Sequence, residues 1–242
     1  MNLIVDVGNT FVKLAVFQKD ALIYKVSFKV SEFKKEYKKL KKDFPKLKQA
    51  ILSSVGKLSL KQIELLEQDL KVLELNHKIK LPFKNLYKTP QTLGVDRIAL
   101  VSASVSQFPK NKVLIIDAGT CVTYDFVTEI NEYLGGAISP GIRLRYSALH
   151  NLTANLPLLD KQHPKSLIGR STESSIHSGV VLGLIKEIDG VIDQYRAEHQ
   201  DLTVILTGGD ANFLSNQLKN SIFANSNFLL EGLNYILDFN SK

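Results

Sequence analysis

A short apolar run that closes on Asp-x-Gly and restarts as a second strand just past a threonine occurs twice in this chain. The first copy runs from Leu3 through Asp6-Val7-Gly8-Asn9-Thr10, and Val12, Leu14 and Val16 then alternate with Lys13 and Ala15. The second runs from Val113 through Asp117-Ala118-Gly119-Thr120 into Val122–Val127. One Asp-x-Gly turn means little, because such turns are common. Two copies, close to half the chain apart and set in the same order of elements, indicate duplication. A repeat this long gives two related domains and not a solenoid. They are expected at residues 1–112 and 113–242, with the boundary near Pro109–Lys112.

The pattern between the copies supports this division. Leu22–Phe28 and Ala50–Val55 read as strands, and Val72–Leu75 as another. Glu32–Phe44 reads as a helix, Ser59 opens a second that runs to about Leu70, and Gly94–Gln107 makes a third. After Val113 the series restarts, with strands at Val122–Val127, Tyr133–Ile138 and Val204–Leu206. Helices are expected near 141–155, 172–197, 211–219 and 229–238. The class is α/β.

Composition excludes several functions. The single cysteine, Cys121, rules out a disulfide framework and a multi-cysteine zinc site, and fits a reducing cytoplasm. No H-E-x-x-H pair is present. No apolar run reaches the roughly 18 residues of a membrane span, and no signal peptide is legible at the N-terminus. The net charge is +7, but residues 34–48 hold eight lysines against two acids, so almost all of the excess lies in one segment. Phe33, Tyr37, Leu40 and Phe44 recur at helical spacing there. The lysines then form the wet side of an amphipathic helix, or else a surface for an acidic partner or nucleic acid. The first reading is preferred, with no nucleic acid and no membrane among the partners.

The duplicated turn suits phosphate. Glycine lets backbone N–H groups approach an anion, threonine adds a hydroxyl, and the strand-end carboxylate can hold Mg²⁺ directly or through water. Lys13 lies where its ammonium can meet phosphate charge. The P-loop pattern is absent. Thr207-Gly208-Gly209-Asp210-Ala211 follows a strand and opens a helix. It is either a flat platform for a purine or ribose, or a glycine turn in which Asp210 caps the helix. Asp96-Arg97 has two readings as well. Asp96 can accept a proton from an attacking hydroxyl while the planar Arg97 fork grips a carboxylate, or Asp96 caps a helix and Arg97 makes a surface pair.

These turns, in this order, resemble the phosphate-1, phosphate-2 and adenosine motifs of the acetate/sugar kinase, Hsp70 and actin superfamily. With Tyr87–Arg97 (YKTPQTLGVDR), Gly135–Gly141 (GGAISPG) and Thr172–Gly179 (TESSIHSG), the set resembles type III pantothenate kinase over nearly the whole chain. The resemblance implies two ribonuclease-H-like (actin-like ATPase) domains, each a mixed five-stranded sheet flanked by helices, with ATP in the cleft between them. It implies that pantothenate is phosphorylated to 4'-phosphopantothenate, the first step of coenzyme A biosynthesis. Asp96 would be catalytic. Asp6, Val7, Gly8, Asn9, Thr10, Phe11, Val12, Lys13 and Thr120 would bind ATP, with Gly208 and Gly209 as adenosine contacts. Tyr87, Gly94, Val95, Asp96, Arg97 and Thr172 would bind pantothenate, and Thr172 would do so across a homodimer interface. Asp117 would ligate a monovalent cation, potassium or ammonium, besides the Mg²⁺ that accompanies ATP.

Two other functions are compatible with the same superfold. One is a nucleotide-binding transcriptional accessory protein; the other is a kinase for a different small hydroxy-acid or sugar. The apolar positions Val180, Val181, Leu184, Ile185, Ile188, Val191 and Ile192 cover more than one helix face. They suit a dimer seam or a fully buried core helix equally well.

Overall fold

The computed structural model describes residues 1–8, 11–54 and 58–241. Asn9, Thr10 and the Val55 end of one expected strand lie outside the described residues. The chain forms two compact units. The first comprises Met1–Pro109, Asn131–Tyr133 and Asn227–Lys242; the second comprises Lys110–Ile130 and Leu134–Ser226. The crossing at Pro109 falls close to the expected boundary. The C-terminal segment, which by sequence order follows the second repeat, groups with the first unit.

In the first unit the sheet order is β3-β2-β1-β4-β5. β1 (Asn2–Val7) is central and buried at all six positions, which is why it reads as a continuous branched apolar run. It pairs antiparallel with β2 (Phe11–Gln18) and parallel with β4 (Gln49–Ser54), and β5 (Lys71–Glu74) adds parallel to β4. β3 (Ala21–Lys29) forms one edge, and its exposed Lys25 and Lys29 discourage further strand pairing. The lysine-rich segment is α1 (Phe33–Asp43), which buries Phe33, Tyr37 and Leu40 and exposes Lys34, Lys35, Lys38, Lys39 and Lys42. The Tyr37 hydroxyl donates to Asp69 at 3.2 Å. α2 (Leu60–Glu67) starts at a capping box between Ser59 and Gln62.

The second unit repeats the order. β7 (Val113–Ala118) pairs antiparallel with β8 (Cys121–Val127) and parallel with β10 (Thr203–Thr207), which pairs parallel with β11 (Phe223–Ala224). β9 (Glu132–Pro140) follows beside β8. Counted within each repeat, both sheets run 3-2-1-4-5, so the duplication read from the turns extends to topology. Within the first unit, a two-residue strand with no sequence signal, β6 (Lys84–Asn85), pairs parallel with Glu132–Tyr133. α4 (Ile142–Asn151), α5 (Thr172–His177), a π-helical turn at Ser178–Leu182 and α6 (Gly183–Glu198) cover the sheet, and α7 (Ala211–Ser215) follows β10. Val180, Val181, Leu184, Ile185, Ile188 and Ile192 are all buried in this unit's own core, so the core-helix reading accounts for them.

α3 (Val95–Gln107) and α8 (Phe228–Phe239) pack closely together in the first unit. Asn2 ties α8 to the sheet, its amide donating to Asn234 at 2.8 Å and Asp238 at 2.9 Å. Gly232 makes the close approach possible, since a Cβ there would lie 1.9 Å from the Ala99 carbonyl oxygen. Gly232→Ala should therefore force the two helices apart, at a cost of about 2–3 kcal/mol, and lower the melting temperature by several degrees. A melt within a degree of the wild type would contradict this packing.

Candidate active site

The register of the first hairpin places Lys13 directly opposite Asp6. Their side chains meet, with Lys13 Nζ 3.3 Å from Asp6 Oδ2. Asp6 is 7% exposed. Burial pushes its carboxyl above the ordinary carboxylate range; Lys13 opposes that shift and the nearby charge of Asp96 adds to it. Asp6 and Asp96 are thus electrostatic neighbours within one unit. Gly8 closes the turn, its N–H donating to the Phe11 carbonyl at 3.0 Å. Phe11 itself is half exposed, and Val7 and Val12 are buried. Those two valines fill the core, and their backbone alone remains for a ligand.

Gly94 is the N-cap of α3, and Val95, Asp96 and Arg97 form its first turn. Asp96 Oδ1 accepts the Arg97 N–H at 2.9 Å. Gly94, and not Asp96, therefore holds the cap position of α3, and the bond to the Arg97 N–H holds the Asp96 carboxylate in one place. A Cβ at Gly94 would come within 2.3 Å of that same oxygen, so glycine leaves room for the carboxylate to fold back. Arg97 is buried and not on the surface. Its Cζ lies 5.6 Å from the centre of the Tyr87 ring and 6.0 Å from that of Tyr133. Asp6, Lys13, Tyr87, Gly94, Asp96 and Arg97 all belong to the first unit.

Three motifs meet in the second unit. Asp117 ends β7 beside Thr207 of β10. Gly208, at φ +95°, passes so close that a Cβ would sit 2.3 Å from both Asp117 Oδ1 and the Ala118 carbonyl, so only glycine fits. The Asp210 N–H donates to the Ala118 carbonyl at 2.9 Å. Asp210 makes no side-chain cap on α7, and its carboxylate pairs with Lys161. Asp210 thus holds the N-cap position of α7, as the capping alternative has it, but its side chain makes no cap hydrogen bond there. Gly141 N–H donates to the Thr120 carbonyl at 3.0 Å, which joins the Ser139–Gly141 turn to the second Asp-x-Gly turn. Glu187 then braces that turn. It accepts from Arg145 and from the Tyr124 hydroxyl, and Arg145 also donates to Ser139 at 3.0 Å and to the Pro140 carbonyl at 2.8 Å. Burial alone would raise the Glu187 carboxyl, but these donors hold it below its ordinary range. Thr172 is exposed in the first turn of α5, where Ser171 caps the helix.

Among the described residues no group of three or more His, Cys, Asp or Glu could hold a metal by itself. This donor set suits Mg²⁺ delivered with a nucleotide, whose remaining ligands are phosphate and water. Sequence reasoning missed the supporting residues Tyr133, Arg145, Lys161 and Glu187. None lies in a recognisable phosphate or substrate pattern, and only strand register and helix packing reveal what they support.

A duplicated mixed α/β sheet, with strand carboxylates beside glycine turns in each copy and a carboxylate-arginine pair at a helix start, defines the actin-like ATPase/sugar-kinase class of fold. A family model for type III pantothenate kinase matches residues 2–194. Type III pantothenate kinases from Christiangramia forsetii and Flavobacterium johnsoniae are 54% and 51% identical to the chain, covering 99% and 96% of it and the same shares of their own lengths. The chain belongs to the type III pantothenate kinase family.

Solved structures at lower identity share the fold. A Baf family protein from Campylobacter jejuni superposes with a TM-score of 0.66 at 20% identity, covering 99% of this chain and 98% of its own. The activator of 2-hydroxyisocaproyl-CoA dehydratase from Clostridium difficile, with bound ADPNP, gives 0.54 at 10% identity over 99% and 93%. A glucokinase from an Antarctic psychrotroph gives 0.52 at 10% identity over 98% and 98%.

The state of Asp6 generates a test. In the fold its carboxyl holds a proton more tightly than in the unfolded chain. The associated stability is present at low pH and is lost as pH rises through the folded value. Asp6→Asn removes the buried charge and leaves Lys13, whose side chain is 48% exposed, to water. The unligated variant should melt about 2–4 °C higher at pH 7, and the gain should shrink toward pH 4. Thermal melts at the two pH values decide it, and a lower melting temperature at pH 7 would refute it.

Proposed function

We propose that this chain transfers the γ-phosphoryl group of ATP to the primary hydroxyl of pantothenate, giving 4'-phosphopantothenate for coenzyme A synthesis. The observation that carries the reading is the start of α3. There Gly94 makes room for the Asp96 carboxylate, and the adjacent Arg97 is buried against aromatic rings. Asp96 orients the attacking hydroxyl and accepts its proton late in transfer. Arg97 receives the substrate carboxylate on its planar fork. Tyr87, Gly94 and Val95 complete the substrate contacts.

In the first unit, Asp6, Gly8, Phe11, Lys13 and the backbone of Val7 and Val12 serve ATP; the further candidates Asn9 and Thr10 lie outside the described residues. In the second unit Thr120 binds phosphate, with Gly208 and Gly209 beside the adenosine. Asp6 would hold Mg²⁺ directly or through water, and the ion would screen phosphate charge when bound with the nucleotide. Asp117 takes the monovalent cation, potassium or ammonium.

A homodimer with Thr172 at the partner's substrate site draws support from exposed apolar side chains of the second unit, among them Ile138, Leu158, Leu167 and Ile168. Gly179, Gly183 and Gly190 are exposed along the helix, and a Cβ at any of them would meet nothing within 4 Å. No helix among the described residues is long and apolar enough to cross a membrane. The proposed setting is the cytoplasm, where ATP is available and Cys121 stays reduced.

Asp96→Asn should lower kcat about 10²- to 10³-fold with little change in nucleotide affinity. Near-normal turnover would remove Asp96 from the chemistry. Replacing potassium by sodium should suppress turnover of the wild type, and Asp117→Asn should abolish the difference between the two buffers. Equal rates of the wild type in both would count against the cation at Asp117.

A further inference from the structure

We infer that Tyr133 is a positioning residue that fixes the Arg97 guanidinium for the substrate carboxylate. The inference rests on the reading that Arg97 binds that carboxylate, and it adds a residue that no substrate motif contains. A two-point grip between guanidinium and carboxylate works only if the planar fork is already oriented. Arginine reaches its head group through a long flexible stem, so some neighbour must hold the plane.

Two rings lie within cation–π range of Arg97: Tyr87 at 5.6 Å and Tyr133 at 6.0 Å from Cζ. They stack on each other at 6.1 Å with an interplanar angle of 23°. They differ in how firmly each is held. Tyr87 is partly exposed on a loop, whereas Tyr133 is 0% exposed and Phe83 packs edge-on against it at 6.1 Å and 77°. The Tyr133 backbone also anchors the segment that leads to Tyr87. Asn85 pairs with it in register, and its carbonyl accepts the Leu86 N–H at 3.0 Å. Lys84 adds an ion pair to the neighbouring Glu132 at 2.8 Å. Tyr133 is therefore the fixed floor on which both Tyr87 and Arg97 rest.

The ring face carries this role, so Tyr133→Phe should keep it and Tyr133→Leu should lose it. Steady-state kinetics with pantothenate and MgATP provide the test. Tyr133→Leu should raise the KM for pantothenate about tenfold, with the KM for ATP within twofold of wild type. Tyr133→Phe should stay within about threefold on both. In an Arg97→Lys background, which keeps the charge but loses the fork, Tyr133→Leu should add less than about twofold.

Equal rises in both KM values, or the same tenfold loss in both backgrounds, would overturn the inference and leave Tyr133 a core residue only. If Tyr133→Leu fails to fold, Tyr133→Met, of similar length and without a ring face, takes its place under the same expectations. Arg97→Lys separates the two levels. An unchanged pantothenate KM in that variant defeats the carboxylate assignment itself. A raised KM there, with normal kinetics in Tyr133→Leu, defeats the role of Tyr133 alone.

Discussion

A carboxylate buried at the end of a central strand is the constraint around which the first unit is arranged. Strand β1 is covered on both faces and paired on both edges, so Asp6 has little access to water. Desolvating an ion there is unfavourable, and Lys13 sets against it a charge held directly across the hairpin. The compensation is incomplete, since burial still dominates the state of the Asp6 carboxyl. A fold selected for stability alone has little reason to keep an acid at this place. A fold that must meet a metal-bound polyphosphate has one.

The second copy of the hairpin handles its acid differently. The register partner of Asp117 is Thr123, a hydroxyl and not an ammonium, and Thr123 is engaged with Asp125 at 3.0 Å. Gly208 brings backbone close to Asp117. The two halves share a strand order yet divide their chemistry. The first acid faces a lysine across its hairpin, and the second faces a threonine.

The legible parts of the molecule were those with local signals. β1, β2 and the lysine helix follow from period and burial, and Ser59 announces its helix by a cap. The Asp-x-Gly, Gly-x-Asp-Arg and Thr-Gly-Gly-Asp turns are local as well, and at Gly208 a close backbone approach demands glycine. The two-residue strands β6 and β11 have no period to read. The apolar pattern of α8 predicts a helix without saying which core receives it; Asn2, Asn234 and Gly232 decide that, and they do so across the whole length of the chain. Tyr133 and Glu187 escaped notice for the same reason. Their roles arise from register and packing, and neither Tyr nor Glu at such a place has a characteristic spacing.

The helix that carries Asp96 and Arg97, proposed for the substrate, shows how such long-range packing reaches the candidate site. Arg97 through Val105 are buried without interruption, so α3 is held on all sides and is not an amphipathic surface helix. α8 closes against it where Gly232 meets Ala99, two residues beyond Arg97. A shift of α8 would therefore move Asp96 and Arg97 directly. The residues proposed for phosphate sit on turns between strands, where glycine gives the backbone freedom to meet an anion. Gly94, Val95, Asp96 and Arg97, proposed for pantothenate, sit at the start of a helix packed against α8, with aromatic rings beside Arg97. Positioning a hydroxyl and a carboxylate together demands more exact geometry than receiving a flexible polyphosphate, and the first unit places a deeply buried helix where the proposed substrate residues lie.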